Sequence, residues 1–445
     1  MITFENVCFH FKNKPIFENL TVHIPSQKFT LLTGDSGAGK STLLRLIAGF
    51  STIKYSGTIA INQQDIQNMS IKQKVQQVGM MFQVPNKQFT MRTLRQEIIF
   101  TLENLQFEPM EIERRIEQAT FFVGTQLFLD RSIQELSGGE KQKAALTVLL
   151  AVDAPILLLD EPFASVDRAS RLELIELLVK LKNNGKTILL IDHEFMGYQT
   201  AIDNWLELKA NRQLIYRSTM ELASEQQTNS LGKKGANTNK ILQFQHVSYA
   251  RNQSKLLLQS SDFYFKRGIT TLTGDNGVGK STLLRSIAQR QSYKGKMFYE
   301  NRRLRPNRKL YERISLVVQD AQKQFVTTTI KDELHWGKIT KEKRERQYEA
   351  LSYFGLNDKQ HLYHLSEGQK KIVQLISMLG MDLHLLMLDE PFSGLDSKAC
   401  HYFVRWIAQQ AQFQDFLIVT HRTHPLDGIS EHHVHLANQK LRYIT

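Results

Sequence analysis

Two stretches of this chain have the residue spacing of a loop that binds phosphate groups. Both read glycine, four residues, glycine, lysine and serine, and each lies between an apolar strand-like run and a helical pattern. Glycines let backbone N–H groups curl around a phosphate, and the following helix N-terminus adds partial positive charge. The predicted nucleotide-binding residues are Gly34, Asp35, Ser36, Gly37, Ala38, Gly39, Lys40, Ser41 and Thr42, and Gly274, Asp275, Asn276, Gly277, Val278, Gly279, Lys280, Ser281 and Thr282.

The side chains within these loops have separate expected roles. We expect Lys40 and Lys280 to reach the β and γ oxygens of a nucleotide, and Ser41 and Ser281 to hold Mg²⁺. Two unrelated glycine-rich turns would not be expected to recur with the same strand before them and the same helix after them. The sequence therefore predicts two sites that bind a nucleotide with Mg²⁺.

Two adjacent acidic residues close a second apolar run downstream of each loop. Asp160 and Glu161 follow Ile-Leu-Leu-Leu, and Asp389 and Glu390 follow Leu-Leu-Met-Leu. Ligands gather at the carboxyl ends of parallel strands, so these carboxylates are placed to serve a bound nucleotide. We expect the aspartates to support Mg²⁺ and the glutamates to polarise an attacking water, because phosphoryl transfer depends mainly on positioning and charge stabilisation.

A serine and glycine segment precedes a helical pattern in each half of the sequence. A serine with glycine N–H groups at a helix start is a second kind of anion site, although alone it would read as an ordinary helix cap. Its recurrence ahead of both acidic pairs favours a binding role. The residues concerned are Ser137, Gly138, Gly139, Ser366 and Gly368.

The order of these motifs repeats along the 445 residues, which predicts two domains. The spacing between corresponding residues falls from 240 at the phosphate loops to 228 at a histidine that ends the last apolar run, so the second copy is the shorter. A polar, glycine-containing segment between the copies reads as a flexible linker. We predict domains at 1–222 and 240–445, joined by a linker at 223–239.

Composition narrows the cellular setting. The chain has no apolar stretch long enough to span a bilayer, no signal-peptide pattern at its start and two cysteines in different halves, which favours a reducing compartment. Its formal charge is +13, with the densest basic stretch at 294–313. We interpret that stretch as a solvated strand-and-loop face, and nearness to an anionic inner leaflet would also suit it.

With these motifs in place, the whole chain resembles the ATP-binding subunits of ABC transporters. The resemblance implies an α/β fold, with two P-loop (RecA-like) ABC nucleotide-binding domains in tandem, each having an antiparallel β subdomain and a helical subdomain. It also implies ATP and Mg²⁺ as ligands. In that family two domains pack head to tail, and each ATP lies between the phosphate loop of one and the signature segment of the other.

The resemblance also assigns roles to residues that spacing alone does not. It implies that the first phosphate loop works with Ser366 and Gly368, and the second with Ser137, Gly138 and Gly139. The implied adenine-stacking residue is Phe11, with Arg251 at the equivalent position of the second copy. The implied catalytic residues are Glu161, Glu390 and the switch histidines His193 and His421. The implied metal-binding residues are Ser41, Gln83, Asp160, Ser281, Gln319 and Asp389.

The segment from Phe82 to Phe89, read as F-Q-x-P-x-x-Q-F, is similar to that of energy-coupling factor (ECF) ATPases. This resemblance implies the motor of an uptake system for vitamins or metal ions. It implies two partners, a transmembrane coupling subunit and a small substrate-binding membrane subunit. The chain would then be peripheral at the cytoplasmic face of the cell membrane, with no direct nucleic-acid partner.

The sequence is also compatible with two other functions. A soluble tandem ABC ATPase that acts on ribosomes or nucleic acid would carry a long helical linker or a metal-cluster domain, and neither the short linker nor two cysteines fit those features. An exporter ATPase is the other alternative, because transport direction has no direct mark in the sequence.

One departure from the family pattern predicts that the two ATP sites are unequal. Glu367 stands where the signature segment has a glycine. A carboxylate facing the γ-phosphate would slow turnover at the first phosphate loop, unless Lys370 or Lys371 neutralises it or Glu367 points to solvent.

Overall fold

The computed structural model divides the chain into two compact units, Met1–Thr228 and Asn229–Thr445, which are called the first and second half below. Apart from Asn239, the predicted linker 223–239 lies outside the described residues, so the domain bounds at 222 and 240 stay predictions. The structure describes all residues except 12–13, 36, 51–53, 83–87, 164–165, 167, 210, 222–238, 252–254, 276, 338, 422 and 445.

The first half combines two sheets with six helices in its described residues. Its strands are β1 (Ile2–Phe11), β2 (Lys14–Ile24), β3 (Phe29–Gly34), β4 (Ser56–Ile61), β5 (Gln64–Asp65), β6 (Val78–Met81), β7 (Ile156–Asp160), β8 (Thr187–Ile191), β9 (Asn204–Leu208) and β10 (Leu214–Arg217). Its helices are α1 (Lys40–Ile47), α2 (Ile71–Gln77), α3 (Leu94–Asn104), α4 (Pro109–Val123), α5 (Gly138–Val152) and α6 (Arg168–Asn183).

The second half repeats this arrangement. Its strands are β11 (Lys240–Arg251), β12 (Lys255–Lys266), β13 (Ile269–Thr273), β14 (Lys294–Tyr299), β15 (Arg302–Arg303), β16 (Ile314–Val317), β17 (Leu385–Asp389), β18 (Asp415–Val419), β19 (His432–Ala437) and β20 (Lys440–Ile444). Its helices are α7 (Lys280–Ile287), α8 (Arg308–Tyr311), α9 (Ile330–Leu334), α10 (Lys341–Tyr353), α11 (Glu367–Leu379) and α12 (Ser397–Gln410).

Strand order is the same in the two halves. An antiparallel sheet has the order β2-β1-β4-β5 in the first half and β12-β11-β14-β15 in the second. A six-stranded sheet has the order β10-β9-β3-β8-β7-β6, matched by β20-β19-β13-β18-β17-β16, and is parallel except for its last hairpin. These sheets and helices confirm the α/β fold of two tandem P-loop domains that the resemblance implied.

The parallel sheets position the chemistry because both of their faces are covered. Every residue of β7, β8, β17 and β18 is buried, which explains why these strands read as continuous apolar runs. In the first half one apolar core joins the antiparallel sheet, α1 and one sheet face, and another joins α5, α6 and the opposite face. The strands are therefore held rigidly, and the loops at their carboxyl ends share one edge.

A helical layer follows the central strands in each half, and it accounts for the shorter second copy. In the first half α3, α4 and α5 enclose a separate apolar core. Helix α3 has 11 residues, whereas its counterpart α9 has 5, so most of the lost length falls in this layer. Within the described part of the chain, no helix combines the length and apolarity needed to cross a membrane.

Candidate functional site

The two phosphate loops connect a central strand to a helix, and their backbone requires glycine. Gly34 has φ of 145° and Gly274 has φ of 146°, a region that L side chains rarely adopt. A Cβ atom at either position would also collide with a backbone carbonyl oxygen, that of Leu208 or Leu436. The predicted loop residues Ser36 and Asn276 lie outside the described residues, and the other predicted loop residues occupy these strand–loop–helix turns.

The lysine of each loop is buried and folded back over the loop. The Lys40 ammonium donates to the carbonyl oxygens of Gly34 and Asp35 at 2.7 and 2.9 Å, and Lys280 makes the equivalent bonds to Gly274 and Asp275. Phosphate oxygens can replace these carbonyls as acceptors without moving the helix that carries the lysine. The ammonium is thus already positioned at the mouth of the loop.

The serine and the strand-end aspartate of each half lie together, as expected for a metal site. Ser41 Oγ donates to Asp160 Oδ1 at 3.0 Å. Burial, with the neighbouring Glu161 charge, raises the pKa of Asp160 to about 6, although the Ser41 hydrogen bond opposes the shift. In the second half Asp389 Oδ1 is buried and has no hydrogen-bond partner among the described residues. A buried carboxylate oxygen without a donor fits a cation, so these residues suit Mg²⁺.

Both glutamates that follow the aspartates have an unusual backbone conformation. The φ angles are 48° at Glu161 and 49° at Glu390, in the left-handed region that non-glycine residues avoid. The amide of Glu161 donates to Ile191 O at 3.0 Å, and that of Glu390 donates to Val419 O at 2.8 Å. The neighbouring strand therefore holds each strained turn, and both carboxylates project at the same point of their sheets.

The histidines differ between the halves in what they contact. His193 Nε2 lies 3.2 Å from Glu161 Oε1, within hydrogen-bond distance. In the second half His421 Nε2 lies 3.3 Å from Lys280 Nζ and 3.6 Å from Glu390 Oε1. Burial raises the pKa of Glu390 to about 7, opposed by the His421 amide that donates to it. The two copies thus present the same residues in two arrangements.

The serine segments begin long helices, as predicted. Ser137 caps α5 by accepting from the Glu140 amide, and the Glu140 carboxylate accepts from the Ser137 amide. Ser366 and Gln369 form the same reciprocal pair at the start of α11. Each capping box fixes the first turn of its helix. The pairing of these turns with the phosphate loop of the opposite half stays a prediction.

Glu367, the residue that departs from the family pattern, is paired within its own half. Its Oε1 accepts from Gln322 Nε2 at 2.8 Å and lies 3.3 Å from Lys370 Nζ. Lys371, the other lysine considered as a neutralising partner, points elsewhere and donates to Gln319 O at 3.2 Å. Burial lowers the pKa of Lys371 to about 8, against the pull of the nearby Asp389 and Glu390 charges.

The remaining predicted residues are exposed or lie outside the described residues. Phe11 ends β1 with 58% of its surface exposed, as a residue that stacks on a ligand would be. Gln319 is exposed on the loop after β16. Gln83 and the side chain of Arg251 lie outside the described residues, so their roles stay predictions.

Sequence reasoning missed a buried charged cluster beside His193. Arg171, Asp192 and Tyr198 are all buried and contact one another. The available signal was an arginine three residues before Leu174, on the apolar face of α6, because a charge there needs a buried partner.

Comparison with known proteins identifies one matching family, similar proteins in other organisms and solved structures with the same fold. The profile described as ABC transporter matches residues 17–164 and 258–393. An ABC transporter ATP-binding protein of Treponema denticola, provisionally so named, is 32% identical and aligns over 96% of this chain and 93% of its own length. A Bacillus subtilis protein with the provisional name HMP/thiamine import ATP-binding protein YkoD is 28% identical over 95% of this chain and 87% of its own. The solved structure of the RNase-L inhibitor shares the fold with a TM-score of 0.69 and 18% identity, over 99% of this chain and 90% of its own.

Proposed function

Because the chain belongs to the ABC transporter family of ATP-binding proteins, we propose that it is the ATP-hydrolysing motor subunit of a membrane importer. The main support for ATP hydrolysis is that one arrangement of residues occurs in both halves. In each half a lysine, a serine, an aspartate, a left-handed glutamate and a histidine converge at the carboxyl edge of a parallel sheet. Their chemistry suits transfer of a phosphoryl group to water.

The residues of the first half divide this work among them. Lys40 exchanges its carbonyl acceptors for phosphate oxygens, and Ser41 and Asp160 hold Mg²⁺. Held there, the metal would supply positive charge to offset that of the phosphates. Glu161 orients the attacking water through its carboxylate, and His193, which contacts that carboxylate, faces the γ-phosphate. The second half supplies the same set from Lys280 to His421.

We further propose that each ATP-binding site is completed by residues at the start of a helix in the opposite half. Ser366 and Gly368 would contact the nucleotide on the first phosphate loop, and Ser137, Gly138 and Gly139 the one on the second. The capping boxes support this role because they orient the N-terminal amides of α5 and α11. In this arrangement one chain closes on itself around two ATP molecules.

Import, and not export, is favoured by two observations. The similar Bacillus subtilis protein has an import function in its name. The segment from Phe82 to Phe89 has the form found in ECF ATPases. We therefore propose a transmembrane coupling subunit and a small substrate-binding membrane subunit as partners, a vitamin or metal ion as the transported substrate, and a peripheral position at the cytoplasmic face of the membrane.

Hydrolysis is tested by replacing both left-handed glutamates. The variant Glu161→Gln with Glu390→Gln should bind ATP as the unmodified protein does and lose phosphate release, because glutamine keeps the shape but cannot polarise water. Fluorescent-nucleotide binding and phosphate release measure the two steps. Hydrolysis by the double variant at the unmodified rate would reject the assignment.

Coupling to a membrane partner is tested by co-purification from the membranes of the cells that produce this chain. A tagged chain should bring down one multi-spanning protein and one small membrane protein. Charge reversal at Lys87 together with Lys323 should weaken that assembly and leave nucleotide binding intact. Lys309→Glu, an exposed charge reversal on helix α8, is the matched control. Undiminished assembly with Lys87 and Lys323 reversed would count against docking through the segments 83–89 and 319–325.

A further inference from the structure

Asp192 is the centre of a hydrogen-bond network that ends at the backbone of His193. Its Oδ1 accepts from the amides of His193 and Glu194 at 2.7 and 3.1 Å. Its Oδ2 accepts from the Tyr198 hydroxyl at 2.8 Å and lies 3.0 Å from a terminal nitrogen of Arg171. The Asp192 carboxylate thus fixes the backbone of His193 and the turn that leads to Tyr198.

Arg171 ties this turn to helix α6. Its guanidinium donates to Glu194 O at 2.8 Å and to Met196 O at 3.2 Å. It also lies over the Phe163 and Tyr198 rings, at 5.1 and 5.2 Å from their centroids. The side chain is 3% exposed, so these contacts are made away from water. A planar, five-donor group is what can serve a carboxylate and two carbonyls together.

The second half has no such cluster at the corresponding positions. Counting from the paired glutamates and histidines, Arg171 corresponds to Cys400, Asp192 to Thr420 and Tyr198 to Leu426. The contacts of the two histidines also differ between the halves. His193 contacts Glu161 at 3.2 Å, whereas His421 lies closer to Lys280 than to Glu390. The half with the charged cluster is the half in which the histidine and the glutamate are joined.

We infer that Asp192, Arg171 and Tyr198 are positioning residues that hold His193 against Glu161 and so set the rate of turnover at the first phosphate loop. This inference rests on the proposed role of Glu161 and His193 in hydrolysis. A buried ion pair is by itself weak evidence for stability, since its desolvation offsets its attraction. A role in placing the histidine explains why this half has charged residues where the other half has uncharged ones.

The test replaces the pair by the residues of the second half. Arg171→Cys with Asp192→Thr removes both charges of the most buried pair and leaves Glu194, the other carboxylate near Arg171, partly exposed to water. The fold should therefore tolerate the double change better than either single change. In a Glu390→Gln background, which leaves only the first loop active, we expect kcat to fall about tenfold while KM and fluorescent-nucleotide affinity stay within about twofold. A loss of about tenfold is the lower end of that found when partners that orient metal-ligating side chains are removed, and we take it as the scale here. Tyr198→Phe should give a smaller loss in the same direction.

The matched control places the same two substitutions in a Glu161→Gln background, where turnover comes from the second loop. That rate should not change. Unaltered turnover in the Glu390→Gln background would overturn the inference, and so would an equal loss in both backgrounds, which would mean damage to the whole fold. Failure of the proposed function is seen separately, as hydrolysis by the Glu161→Gln, Glu390→Gln protein without the cluster changes, and the inference then falls with it.

Discussion

Lys370 should determine how strongly Glu367 disfavours ATP at the first phosphate loop. The Glu367 carboxylate lies 3.3 Å from the Lys370 ammonium, and the lysine is 8% exposed. In the composite arrangement proposed above, this carboxylate faces the γ-phosphate. Lys370→Met keeps the length and apolar stem of the side chain and removes only its charge. The substitution therefore exposes the phosphate to an acid that is no longer neutralised.

The size of the effect follows from charge, distance and exposure. One like-charge pair at roughly 5 Å with an effective dielectric of about 20 costs on the order of 3 kcal/mol. Glu367 is 34% exposed, so screening by water reduces this value, and we take about one third of it. About 1 kcal/mol corresponds to roughly a fivefold weaker closure on ATP. Glu367→Gly added to Lys370→Met should remove the effect.

Turnover in a Glu390→Gln background is the appropriate assay, because only the first loop then contributes. Lys141→Met, assayed in a Glu161→Gln background where only the second loop contributes, is the matched control. Lys141 is four residues after Ser137 as Lys370 is after Ser366, and the first-half segment has Gly138 where the second has Glu367. We expect a fivefold loss for Lys370→Met and little change for Lys141→Met. A Lys370→Met protein with unchanged turnover, or one whose loss persists after Glu367→Gly, would refute the reasoning.

Three further outcomes follow from the same geometry. Gly274→Ala should destabilise the fold by more than about 2 kcal/mol in urea unfolding, because its Cβ meets a backbone oxygen, whereas Gly124→Ala, at φ of 77° with open space around it, should cost about 1 kcal/mol. Burial raises the pKa of Glu390 from 4.5 to about 7, so between these values the folded state holds a proton that the unfolded chain releases. The free energy of unfolding should therefore decrease as the pH rises from about 5 to 7, and Glu390→Gln should make this decrease smaller in urea unfolding. Ser41→Ala should raise the Mg²⁺ concentration needed for half-maximal turnover at the first loop, while Ser41→Thr restores it, since Ser41 Oγ bonds Asp160.

The sequence was sufficient for the parts of the site that depend on local pattern. A glycine-rich turn between an apolar strand and a helix, or two acids after an apolar strand, is compatible with few local structures. The sequence therefore predicts these elements and their position at the carboxyl ends of the parallel strands. The partner of Glu367 was not, because Lys370 and Lys371 are adjacent and only the packing of α11 decides which one faces the carboxylate. The cluster around Asp192 joins segments over 20 residues apart, so the local pattern of α6 shows that Arg171 needs a buried partner but not that the partner is Asp192.

The left-handed glutamates have a consequence for how this chain can change over time. A glycine at position 161 or 390 would adopt φ near 48° without strain, so losing the carboxylate would make the local backbone easier to fold, by about 1 kcal/mol. Mutational drift toward an idle site is therefore favoured by stability and opposed only by the demand for chemistry. A chain with two copies could let one of them relax in this way. A strained acid at both positions is what the hydrolytic role proposed above requires of each half.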